Sequence, residues 1–221
     1  MKSLTPDTEA INHEVYLSLG LSTSCKRNSE FPRILSLLTS ILEATIQKNE
    51  KELDSLEIKE ITTIFSGLRA PTLSIKRYIE RIFKYTKCSP SCFLIGYIYI
   101  ERFLQQPNIH LTSFNVHRLI ITSVAVAAKF IDDAFCTNAY YARVGGISTL
   151  EMNRLEINFL FSLDFRLQVT VGTFQTYCLQ LEKEAKGYHV ERPIKTCVIE
   201  CTNIEDSKCQ QVVQRYSCST V

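Results

Sequence analysis

Residues 118–133 read RLIITSVAVAAKFIDD. From Leu119 to Ile131 the run is apolar apart from Thr122, Ser123 and Lys129. It falls short of the roughly 20 residues a helix needs to cross a bilayer. The stretch is therefore predicted to be a helix buried on most sides by the rest of its own chain. Lys129, with Phe130, Asp132 and Asp133 behind it, then has two readings. Its stem can snorkel to bring the ammonium to water, or the charge can be held ready for a partner.

The composition sets the frame for that helix. A chain of 221 residues suffices for one domain with extensions. With 45% hydrophobic and 22% charged residues but only 7 Gly and 6 Pro, it favours an all-α fold over a loop-rich or all-β one. A formal net charge of +2 lacks the basic footprint of a nucleic-acid binder, so a protein partner is expected, with no direct nucleic-acid contact and no membrane. Nine cysteines follow a beginning, MKSLTPDTEAINHEVYLSLG, that has no continuous apolar core of a signal peptide. The expectation is a reduced, intracellular protein of nucleus or cytoplasm. Cys197, Cys201, Cys209 and Cys218 match no paired zinc-ligand spacing and read as ordinary thiols on a tail.

Working outward from the central helix, residues 1–30 are polar and aperiodic and are expected to form a flexible lead-in without core. From Phe31, the residues Ile34, Leu35, Leu38, Ile41, Leu42 and Ile46 recur at helical spacing over about four turns. The charge-dense KNEKELDSLEIKE, expected to be a solvated helix or linker, then leads to a breaker at Arg69–Pro71. Ile75, Tyr78, Ile79, Ile82 and Phe83 form one face of an amphipathic helix, with Lys76, Arg77, Arg81 and Lys84 on the other and Lys87 at its close. Ser89-Pro90 opens the buried helix CFLIGYIYIERFL. Thr112-Ser113 is the predicted cap of the central helix, and Thr137 starts a short helix ended by Gly145-Gly146.

Ser148 with Glu151 reads as a capping box, and Ile147 with Met152 as its hydrophobic staple. In the helix they open, Met152, Leu155, Phe159, Leu160 and Leu163 make one apolar arc, and Glu156 projects from inside it. Thr170 or Thr173 can cap a further helix carrying Phe174, Tyr177, Cys178 and Leu181, with Gly187 beyond its end. The segment from Tyr188 has no period.

No phosphate-binding loop, dinucleotide fingerprint, metalloprotease motif or nucleophile elbow occurs, and the four histidines are scattered. No catalytic residue, cofactor or metal is therefore expected. What stands out is one lysine and one glutamate on apolar helix faces. Lys129 and Glu156 either pair as structural ions inside the fold or sit side by side at its rim, where they can grip another protein's helix through charge-assisted hydrogen bonds.

YIYIERFL, AAKFIDD and NRLEINFLFSLDFRL, spread over five helices in about 95 residues, resemble the cyclin box. The fuller run is most similar to the single-box P-type and U-type cyclins of plants, relatives of the yeast phosphate-signalling cyclin. The resemblance implies an all-α fold: one five-helix box at 72–168, preceded by a helix and charged linker at 31–71, followed by a flanking helix at 169–187 and a Cys-containing tail at 188–221. It also implies a regulatory subunit, itself no enzyme, in a heterodimer with a cyclin-dependent protein kinase, acting in cell-cycle or phosphate signalling. Lys129 and Glu156 would clamp the kinase C-helix, with Phe130, Phe165 and Leu167 packing against it. Glu101, Arg102, Ser148 and Glu151 would support them. An M-R-A-I-L-x-D-W-L element is missing from the first box helix, where TLSIKRYIERI stands, and the second-helix aspartate of the family is Glu101 here. Cyclin-like transcription factors are expected to be doubled and basic along a face, and this chain is neither. A cyclin-fold scaffold for a non-kinase partner is the remaining alternative.

Overall fold

Two helices that are apolar nearly all round must lie at the centre of whatever surrounds them, and two such helices pack closest where a side chain is missing. In the computed structural model, which describes residues 14–21, 31–56 and 62–185, these are α4 (Pro90–Phe103) and α5 (Val116–Ile131). They cross at Gly96. A Cβ built there would lie 3.2 Å from the Ser123 hydroxyl and 3.3 Å from the backbone of Ser123 and Val124. Around this pair stand α1 (residues 14–19), α2 (Arg33–Ser55), α3 (Ile75–Thr86), α6 (Asn138–Gly145), α7 (Thr149–Ser162) and α8 (Val171–Ala185). No strand occurs among the described residues. The all-α architecture expected from composition is the one observed.

Each outer helix presents its apolar side to the centre: Ile75, Tyr78, Ile79 and Ile82 from α3, Tyr141, Ala142 and Val144 from α6, Met152, Leu155 and Phe159 from α7. The ends are pinned much as the sequence suggests. Lys87 closes α3 in the left-handed region at φ 54°, and Thr137 caps α6, which Gly146 ends at φ 74°. The Thr170 hydroxyl accepts from the Thr173 amide at 3.1 Å at the start of α8.

Several expectations need correction. The Lys48–Ser55 part of the charged stretch, expected to be a solvated helix or linker, is helical and continues α2 to 23 residues, but it is not wholly solvated, since Leu53 is buried. The segment before residue 31 does carry core: Leu19 is fully buried, and Val15 and Tyr16 pack beside it. These three lie on one helical face, and Ser18 and Arg33 both donate to the Glu182 carboxylate of α8, at 3.1 and 3.4 Å. Polarity elsewhere in the lead-in hid that short face. The central helix starts at Val116, with Asn115 rather than Thr112 or Ser113 in the cap position; the Asn115 side chain accepts from the Thr112 amide at 3.0 Å. Ser148 accepts from the Glu151 amide at 3.0 Å, but the Glu151 carboxylate turns away from its own helix and pairs with Arg118 of α5 at 2.7 Å. A tertiary ion pair has replaced half of the capping box. The tail at 188–221, with its four cysteines, and Gly187 lie outside the described residues.

His117 ties α5 to the chain before α3. Its Nε2 lies 2.7 Å from the Leu73 carbonyl, its ring lies tilted against Tyr78 with centroids 4.8 Å apart, and its Nδ1 is buried without a partner among the described residues. Burial depresses its pKa below the ordinary 6.5 despite the Leu73 bond.

Two outcomes follow from this packing. Gly96→Val should lower stability by about 1–3 kcal/mol through overpacking, read as a lower urea midpoint at an unchanged slope. Because the unfolded chain protonates His117 more readily than the folded one, wild-type stability should decline as pH falls below about 6.5. His117→Gln should flatten that part of the stability profile.

Candidate functional site

Lys129 comes from the last turn of α5, Asn138 from the first residue of α6 and Glu156 from the middle of α7. Their side chains close a triangle. The Lys129 ammonium donates to Glu156 Oε1 and to Asn138 Oδ1, both at 2.6 Å, and the Asn138 amide donates to Glu156 Oε2 at 2.5 Å and to Asn153 at 2.8 Å. The two charges do pair with each other, as the structural reading held. They also sit at the rim, as the functional reading held: 26% of the Lys129 side chain and 15% of that of Glu156 stay exposed.

The triangle is satisfied without being saturated. An ammonium has three donors and a carboxylate about four acceptor sites, and the contacts above use two of each. One N–H of Lys129 and two lone-pair sites of Glu156 therefore remain for an incoming group among the described residues. Held by three helices, both ions are oriented before any partner arrives.

An apolar fringe lies next to the triangle along the chain. Phe130 and Ile131 follow Lys129 directly, and both are exposed, as is Phe135. On α7, Leu150, Ile157 and Phe161 are each more than half exposed. At 100° per residue they form a narrow row on the side of α7 opposite the buried row of Met152, Leu155 and Phe159, with Glu156 about 100–140° around the helix from it. Sequence periodicity picked out only the buried row. A helix apolar on two sides carries the signal that could have revealed the second.

The exit from α7 is built to hold Phe165 outward. Asp164 and Phe165 both adopt left-handed backbone, at φ 53° and 54°. That conformation costs about 1–2 kcal/mol per non-glycine residue. The end of α4 offsets it. Arg102 donates to the carbonyls of Arg166 and Gln168 at 2.6 and 3.1 Å, and the Tyr99 hydroxyl donates to that of Leu167 at 2.6 Å. Burial pushes the Tyr99 hydroxyl up to about 12, which keeps it a neutral donor. Phe165 meets Phe161 edge to face at 5.3 Å and remains exposed, whereas Leu167 is partly buried against the chain's own core. Glu101, one residue before Arg102, accepts from the hydroxyls of Tyr97 and, at 2.6 Å, Tyr177 of α8.

One supporting residue escaped the sequence reading. Asp132, just past Phe130, accepts from the Ser89 amide at 3.0 Å and the Ser89 hydroxyl at 2.8 Å. It thereby caps α4 from the end of α5 and fixes where Lys129 and Phe130 emerge. Nothing in the spacing of residues 89 and 132 announces that contact.

A family model described as Cyclin matches residues 30–167. This chain belongs to the cyclin family. It is 55% identical to Cyclin-P3-1 of Oryza sativa subsp. japonica, over 98% of this chain and 96% of that protein. It is 50% identical to Cyclin-U3-1 of Arabidopsis thaliana, over 88% and 89% of the two chains, and 50% identical to Cyclin-U4-1 of the same plant, over 71% and 78%. The resemblance to plant P-type and U-type cyclins drawn from three short motifs thus extends across the chain, and the all-helical fold is that of a cyclin. Cyclins act as regulatory proteins rather than as enzymes. Among the described residues no three His, Cys, Asp or Glu side chains are grouped to hold a metal, and no helix is long and apolar enough to cross a membrane.

If Arg102 holds the exit of this cyclin in its left-handed course, Arg102→Ala should speed amide exchange at Arg166 and Leu167 about tenfold or more while leaving the interior of α4 protected. Hydrogen exchange read by NMR checks this.

Proposed function

We propose that this cyclin is the regulatory subunit of a cyclin-dependent protein kinase, which it binds and activates through the face built around Lys129 and Glu156. The observation that supports this best is the unsaturated triangle of Lys129, Asn138 and Glu156 at the rim of the fold, with exposed Phe130 directly after Lys129 in the chain. A charged grip flanked by apolar surface suits the end of a helix with an apolar side: the ions bond its terminal polar groups while the rings exclude water. In this reading residues 72–168 form the box, with helices on either side, and Leu167 supports the exit from within while Phe165 makes the contact.

Activation follows from differential binding. Phosphoryl transfer by a protein kinase requires the C-helix glutamate to pair with the ATP-binding lysine. A partner that holds the C-helix in that position more tightly than in the displaced one shifts the kinase toward its active state. The output is cell-cycle or phosphate signalling, in nucleus or cytoplasm.

The internal satisfaction of the triangle favours one second reading, a cyclin-fold scaffold for a non-kinase partner in which Lys129 and Glu156 are structural ions. A pull-down against a panel of cyclin-dependent kinases, followed by a kinase assay, separates the two. Lys129→Ala and Glu156→Ala should each abolish activation with helical content nearly intact. Phe130→Asp and Phe161→Asp should weaken association further, since each sets an unpaired charge on an apolar contact. A melting temperature lowered by Glu156→Ala with kinase retention unchanged would decide for the scaffold.

A further inference from the structure

The polar side of α3 is not used by the face just described. Arg77, Arg81 and Lys84 project from it, and with Arg143 at the end of α6 they line an open groove of about 810 Å³ that also meets Glu80, Tyr85 and Tyr140. Four cations face one carboxylate there. None of the four forms an ion pair with a carboxylate among the described residues. The groove is nonetheless preformed, because its walls are tied together: Arg81 donates to the Arg143 carbonyl at 3.3 Å, and the Tyr140 hydroxyl to the Tyr85 carbonyl at 2.8 Å. Lys84 rests over the exposed Tyr85 ring at 5.7 Å.

Unpaired like charges crowded on one helix face oppose folding, so their placement calls for an anion. The shape selects among anions. Arg77 and Lys84 are seven residues apart on α3, about 10.5 Å along the axis. That is wider than a single small anion spans and close to the ~10 Å between residues three apart on an extended peptide. It is too short a basic track for a nucleic-acid duplex on a chain of net charge +2. Exposed carboxylates would gain little, as surface ion pairs contribute about 0–1 kcal/mol. A phosphate brings close to two negative charges and three strong acceptors, and the arginine fork meets it with two parallel hydrogen bonds.

We infer that the groove between α3 and α6 docks a phosphorylated peptide segment, with phosphate groups on Arg77, Arg81, Lys84 and Arg143 and the peptide lying along the Tyr85 and Tyr140 rings. None of Lys129, Asn138 and Glu156 lines this groove.

The test uses the full chain and a fluorescein-labelled Gly/Ala/Ser peptide with two phosphoserines about three positions apart. Anisotropy is compared with the unphosphorylated peptide and with one carrying Glu in place of phosphoserine. The phosphorylated form should bind at least about tenfold more tightly than either, with an affinity that falls as salt rises. Arg77→Glu/Lys84→Glu, and separately Arg143→Gln on the opposite wall, should each lose that preference with helical content unchanged, whereas Glu156→Ala should bind as wild type does. Equal affinity for the three peptides, phosphopeptide binding that survives both sets of substitutions, or tripolyphosphate binding as tightly as the peptide would overturn the inference.

Discussion

The approach of α4 and α5 at Gly96 is the contact on which the remaining helices are laid. Without a Cβ at that residue, the two apolar helices come together until the α4 backbone lies against Ser123 and Val124. That closeness buries α4 and α5 on nearly every side and leaves both with charged groups only near their ends. The ends are where the charges gather. Lys129 and Phe130 emerge from one, Glu101 and Arg102 from the other, and Asp132 links the C-terminus of α5 to the N-terminus of α4.

On the proposed reading, the rim triangle serves stability and recognition together. A lysine or glutamate placed alone beside an apolar core would be strongly unfavourable, so each ion needs the other, and Asn138 holds both in register. Because the three residues come from three helices, the pair has a fixed direction. The remaining donor and acceptor sites stay near water, so the cost of removing them from it is met only when another molecule supplies partners.

Much of the fold was legible in the sequence because helix faces and caps are local signals. The period of Ile75 to Ile82, the proline after Ser89, Thr137, Gly146 and Ser148 all speak for elements within a few residues of themselves. The pair Lys129 and Glu156 could be singled out for the same reason: each breaks its own helix's pattern. Legibility fails where a contact joins distant residues. Asp132 on Ser89, Glu151 on Arg118 and Arg102 on the 166–168 carbonyls have no local signature. Charge was misleading in another way: a net charge of +2 averages away a groove where cations outnumber acids four to one.

The second apolar row on α7 has a consequence for the life of the chain by itself. Leu150, Ile157 and Phe161, together with Phe130 and Phe165, leave a surface that water solvates poorly until something covers it. An unaccompanied copy is open to self-association and to capture by chaperones, which seek such surfaces. Where a partner covers that surface, copies made in excess of it are the ones most readily cleared.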